Sequence, residues 1–165
     1  MMVEVLTKDA TATLAGAQCL RDYYAKRGEQ TSAEHWQSCY LDHVNRLRVR
    51  QRDSNRLLLS DNFVSHGLDP EDLEKFVAQL RTVKNLRGAY LARKLIPDFP
   101  DERLYVLGIK SAGFLRLHSR DRAGEVVSFV REQVTFPGAA LIIDVEGTNY
   151  KFGRKLRRVT GSKII

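Results

Sequence analysis

The stretch that most constrains the fold is the last quarter of the chain. Gly138-Ala-Ala-Leu-Ile-Ile-Asp-Val-Glu-Gly147 is apolar from Ala139 to Val145 except for Asp144, and too short for a buried helix. A β-rich run of that length predicts a strand covered on both faces. Gly147 then permits a sharp reversal, since glycine alone takes positive φ without steric cost. From Tyr150 the period changes. Phe152, Leu156 and Val159 are spaced i, i+4, i+7 and share one helical stripe, while Tyr150, Arg154 and Arg157 share the opposite one. Phe152, Arg154, Leu156 and Arg158 also alternate as a strand would, but Val159 fits only the helical register. Gly161 stands where a helix C-terminal glycine would, and Ile164-Ile165 restart an apolar run. The pattern predicts strand, turn, basic helix and the start of a second strand, the unit from which α/β proteins build sites.

The first half has a different grammar. Met1 to Leu6 is a short apolar lead-in or first strand. Asp9 to Arg27 predicts a helix with Leu14, Ala17, Leu20 and Tyr24 on one face, ended by Gly28. Thr31-Ser-Ala-Glu34 has the spacing of a capping box, and Trp36, Tyr40, His43, Val44 and Leu47 form the stripe of the helix it would start. Arg46, Arg48, Arg50, Arg52 and Arg56 follow, compatible with an edge strand or a continued helix with a solvated face. Asp69-Pro70 with Glu71 and Asp72 marks another helix start, with Leu73, Phe76, Val77, Leu80 and Val83 inward. Tyr90, Leu91 and Leu95 extend a helical pattern to Pro97. Pro97-Asp-Phe-Pro-Asp101 is the clearest boundary. Beyond it Leu104–Ile109 reads as a strand, Phe114–Leu117 as its pairing partner, and Asp121–Val134 as a helix with Val126, Phe129, Val130 and Val134 inward.

The expected class is α/β of the α+β kind. A mainly helical region, 1–97, precedes a small two- or three-layer α/β region, 98–165, with a βαβ C-terminus and a shared core. A chain of 165 residues is long enough for that core.

Charge narrows the partners. Lys and Arg number 27 against 20 Asp and Glu, a net +7, which favours anionic partners. Cys19 and Cys39 make no disulfide framework, no run approaches the ~18 apolar residues of a membrane span, and no cleavable leader opens the chain. The expected compartment is the cytoplasm.

The chemistry-bearing residues fall into two groups. Six Lys or Arg lie from Lys151 to Lys163 with no acid among them. Tyr150, Lys151, Arg154, Lys155, Arg157 and Arg158 are therefore the candidate nucleic-acid contacts, with phosphates met by the cations and bases stacked on tyrosine. Arg48, Arg50 and Arg52 supply a second basic strip. RNA or single strands suit such a surface better than duplex grooves, and an acidic protein partner would suit the charges alone. The second group is Asp144 and Glu146, which at i, i+2 point to the same side of a strand and can share a divalent cation.

That acid pair resembles the Asp-x-Glu start of the proofreading-type exonucleases, although only 19 residues follow Glu146 to supply that family's further acids. Leu141-Ile-Ile-Asp-Val-Glu146-Gly147, the helix and Ser162-Lys-Ile-Ile165 also resemble the opening of the Toprim domain of primases, topoisomerases and some nucleases. That resemblance implies metal-dependent phosphotransfer with Glu146 as the matched acid. The family's Asp-x-Asp has no counterpart here. His35, His43, His66 and His118 show no metal-ligand spacing, with His43 expected as a hydrogen-bonded core residue. No phosphate loop or nucleophile elbow is present. The expectation is a basic binding or assembly protein without metal or cofactor, the alternatives being a Toprim-like nuclease and a protein-interaction module.

Overall fold

The computed structural model describes residues 10–97, 99–111 and 120–165. The expected elements at Met1–Leu6 and Phe114–Leu117, and His118, lie outside the described residues. Two compact units divide the chain, Met1–Asp53 and Ser54–Ile165.

The first unit carries helices α1 (Ala10–Lys26) and α2 (Gln30–Ser54). Gly28, at φ +72°, turns the chain between them. The expected capping box does not form. α2 starts at Gln30, the Ala33 amide already donates to the Glu29 carbonyl, and the Glu34 carboxylate accepts from the Gln30 side chain at 2.9 Å. The helix then runs through the arginine series, which resolves that segment as helix rather than edge strand. Trp36, Tyr40, Val44 and Leu47 are half-buried, and the buried side chains among the described residues here are the small ones, Ala17 and Ala33. Arg21 Nη1 donates to Gln37 Oε1 at 3.0 Å between the helices. His43 is half-buried, and the hydrogen bonding expected of it is not found at Nε2, which is buried with no partner among the described residues.

The second unit is a sheet between helical layers. In chain order it comprises β1 (Phe63–Ser65), α3 (Pro70–Arg81), β2 (Leu86–Ile96), β3 (Phe99–Ser111), α4 (Arg120–Gln133), β4 (Ala139–Asp144), a 3₁₀ turn (Gly147–Asn149) and α5 (Tyr150–Arg157). Sheet order is β1-β2-β3-β4. The first three strands pair antiparallel, and β4 joins β3 in parallel after the α4 crossover. The α+β class expected from the sequence is the class observed. The helical continuation through Tyr90, Leu91 and Leu95 is not. α3 stops at Arg81, Asn85 takes φ +65°, and β2 begins at Leu86. Asn tolerates the left-handed region better than other non-glycine residues, which is why the reversal falls there. Pro97 sits in the tight turn of the β2–β3 hairpin.

Alternation along β2 and β3 divides the core into two clusters. Ala89, Leu91, Tyr105, Leu107 and Ile109 face α3 and α4, packing with Phe76, Leu80, Val126 and Val130. Ala92 and Val106 face the other way, with Val145 and Leu156. The result is three layers: α3 and α4, the sheet, then α5. Phe129, expected inward, is 45% exposed because α4 packs along Ala123, Val126, Val130 and Val134 instead. β4 packs on both faces as expected, Ala140 and Ile142 against the first cluster and Leu141 and Ile143 against the second, but its coverage is partial. It is the sheet's edge, and Ala140 to Asp144 are only half-buried. The expected second strand of the C-terminal βαβ unit does not form as a strand; the tail after α5 makes only an isolated bridge to β2. Lys163 bridges Tyr90 of β2 antiparallel, and the Leu91 amide donates to the Ser162 carbonyl at 2.7 Å.

Candidate nucleic-acid interface

Two glycines set where α5 lies. A Cβ on Gly153 would stand 2.7 Å from the Val145 carbonyl oxygen and 2.8 Å from the Val145 Cβ. A Cβ on Gly108 in β3 would meet Val145 Cγ1 at 2.4 Å and Leu156 Cδ1 at 2.7 Å. The helix therefore approaches the sheet more closely than any side chain at these positions allows. Val145 itself is fixed, since its amide donates to the Ile109 carbonyl at 2.9 Å. The turn into the helix depends on Gly147 at φ +56°. Behind the helix, Ser162 Oγ donates to the Leu156 carbonyl at 2.7 Å, and Gly161 at φ +75° swings the tail toward β2.

With Gly153 and Leu156 buried, the outward arc is determined. At about 100° per residue, Arg157, Tyr150, Arg154, Arg158 and Lys151 fall within about 120° of arc. All five are exposed, Tyr150 at 51%. Among the described residues none of their cationic groups forms an ion pair with a carboxylate. The Arg157 guanidinium lies 5.4 Å from the centroid of the Tyr90 ring, a cation–π contact that leaves the guanidinium exposed. Sequence reasoning missed Tyr90, which it placed on a helix. Only the β2 assignment and the crossing of α5 bring the two together.

Lys155 differs from its neighbours. Its ammonium donates to the Leu59 carbonyl at 2.8 Å and to the Asp61 carbonyl, and stands 5.5 Å from the Phe63 ring centroid. It is spent on holding the loop before β1. A second lysine serves the same loop from the sheet. Lys94 is 1% exposed, pairs with Asp61 Oδ2 at 2.8 Å and donates to the Arg56 carbonyl at 2.8 Å. Asp61 also accepts the Leu58 amide at 2.7 Å. His66 completes this end of the unit. Its Nδ1 accepts the Leu68 amide at 3.0 Å, burial lowers its pKa from the ordinary value, and a hydrogen bond with the Gly161 backbone opposes that shift.

Arg48, Arg50 and Arg52 belong to α2 in the first unit. Arg48 and Arg52 are exposed and Arg50 is half-buried. Arg52 contacts Asp53 at 3.1 Å, and Arg46 contacts Asp42 at 3.2 Å.

The acid pair is built into its turn. Asp144 Oδ1 accepts the Glu146 amide at 3.1 Å, and Glu146 pairs with Lys110 at 3.4 Å. Among the described residues no group of three or more His, Cys, Asp or Glu is placed to hold a metal ion. Cys19 and Cys39 are free thiols, and no helix among the described residues is long and apolar enough to cross a membrane. Compared with protein-family profiles, curated proteins and solved structures, the chain matches none.

Proposed function

We propose that the outward face of α5 binds single-stranded nucleic acid, RNA above all. The observation that supports this most is the arc itself. Lys151, Arg154, Arg157 and Arg158 surround a half-exposed Tyr150, and among the described residues no carboxylate pairs with them. Cations so placed meet successive phosphates, while tyrosine offers a flat face to an unpaired base. The Arg157–Tyr90 pair adds a second planar group beside the arc. Stacking needs an unstacked base, which favours single strands and loops over duplex. The helix is held close to the sheet at Gly108 and Gly153, so binding has to order the side chains of the arc but not the helix that carries them.

Fluorescence anisotropy with a labelled single-stranded RNA and a duplex DNA of equal length tests this. The wild-type chain binds the single strand more tightly. Tyr150→Ala weakens single-strand binding by about 1–3 kcal/mol, the worth of one stacked base, and leaves duplex binding nearly unchanged. Equal losses on both, or none, remove the stacking role. Arg154→Gln with Arg158→Gln weakens both ligands. An acidic protein partner would feel the arginine changes but not the loss of Tyr150.

A further inference from the structure

The turn before β1 shows apolar side chains to solvent although its backbone is held from several directions. The Asp61 amide donates to the Leu58 carbonyl at 3.0 Å, and Asp61 Oδ2 accepts the Leu58 amide at 2.7 Å. Lys155 of α5 donates to the Leu59 and Asp61 carbonyls, and Lys94 of β2 to the Arg56 carbonyl. Leu57 packs inward, against the cluster that holds Val145 and Leu156. Leu58 and Leu59 do not, and are 39% and 49% exposed. A turn clamped in this way cannot fold them in. Two adjacent leucines fixed outward form an apolar patch, unlike a surface residue that stands alone.

Charge around the patch selects its occupant. The turn's one acid, Asp61, is 11% exposed at its side chain and pairs with Lys94 at 2.8 Å, so it shows no anion beside the leucines. Lys151 and Arg158 stand one turn before and one turn after Lys155, on the side of α5 from which Lys155 reaches the Leu59 carbonyl. Both are exposed, and among the described residues neither pairs with a carboxylate. From this we infer that the turn and α5 dock on an anionic lipid bilayer, Leu58 and Leu59 entering its apolar layer while Lys151 and Arg158 meet its headgroups. A lipid surface offers an apolar layer bordered by anions, which matches leucines bordered by cations. Insertion and electrostatic attraction add in such binding. The inference does not rest on nucleic-acid binding, since the leucines make no phosphate contact.

Cosedimentation of the full chain with vesicles of phosphatidylcholine, with and without phosphatidylserine, tests this at low salt. Binding is expected only where phosphatidylserine is present. The exposed parts of Leu58 and Leu59 together amount to nearly one leucine side chain, so Leu58→Ser with Leu59→Ser should weaken vesicle binding at least about tenfold. The bonds that clamp the turn use the backbone of these residues, so the variant keeps its fold, which an unchanged urea midpoint verifies. Its affinity for single-stranded RNA should not change. Lys151→Gln with Arg158→Gln should weaken vesicle binding roughly thirtyfold, each cation near an anionic surface being worth about fivefold. Failure to bind phosphatidylserine vesicles overturns the inference, whatever the RNA result. So does vesicle binding that the double serine variant retains in full, which leaves Leu58 and Leu59 to a protein partner.

Discussion

Replacing Gly153 by alanine tests how the candidate site is positioned. Two effects of opposite sign compete. Inside a helix, alanine is favoured over glycine by about 1 kcal/mol, so propensity alone predicts stabilisation. The added methyl, however, would sit 2.7 Å from the Val145 carbonyl oxygen and 2.8 Å from its Cβ. Backbone cannot yield as the end of a side chain can. The Val145 amide is bonded to Ile109 at 2.9 Å, so moving it breaks the ladder at the end of β4. Overpacking of this kind costs about 1–3 kcal/mol or more. With contacts this short the upper part of that range applies, and the net loss is about 1–2 kcal/mol. At a urea m-value of roughly 2 kcal/mol/M, the midpoint falls by roughly 0.5–1 M. Gly124, in α4, is the control. A Cβ there meets nothing within 4 Å, so Gly124→Ala should gain about 0.5–1 kcal/mol. Urea denaturation of both variants gives the answer. If Gly153→Ala is as stable as the wild type or more so, α5 does not rest on Val145 as described.

Two further perturbations probe the loop before β1, which Lys94 holds, and the segment after it, where His66 sits. Lys94→Ala leaves Asp61, 11% exposed at its side chain, without its closest cation and should cost about 3–5 kcal/mol, while Lys94→Met with Asp61→Leu should recover much of it. Equal stabilities of the single and double variants in denaturant titrations would contradict this. His66 has a folded-state pKa below its ordinary value near 6.5, so below that pH the unfolded chain binds the proton more readily. Stability should be full above pH ~6.5, fall as pH drops toward the folded pKa, and then level off. His66→Gln should flatten that part of the curve, as denaturation at a series of pH values would reveal.

Local signals carried much of the fold. Asp69-Pro70 with two acids in the first turn marked α3 within a residue, although Asp69 caps by position and makes no side-chain bond. The outward stripe of α5 was legible because the eight-residue helix buries Gly153 and Leu156 on one side and leaves its cations on the other. What failed was non-local. β2 was read as helix because a strand covered on both faces is nearly continuous in apolar residues, and Tyr90, Leu91 and Leu95 carry no clear period. β4 has the composition of a central strand, yet position in a sheet is set by topology and not by composition. Burial of Lys94 depends on Asp61 and the Arg56 carbonyl arriving from a distant loop. Within the candidate site, the outward arc of α5 was readable from spacing. That Lys155 turns to the loop before β1, and that Tyr90 lies beneath Arg157, were not.

The most direct measurement is the affinity for a single-stranded RNA across a salt series, for the wild type and for a Lys151→Gln, Arg154→Gln, Arg158→Gln variant. Four phosphate contacts from the arc predict a log–log slope of roughly −3 for a single strand, and loss of three of them brings it to about −1. No binding at low salt, or the same slope in both proteins, contradicts a nucleic-acid role for α5.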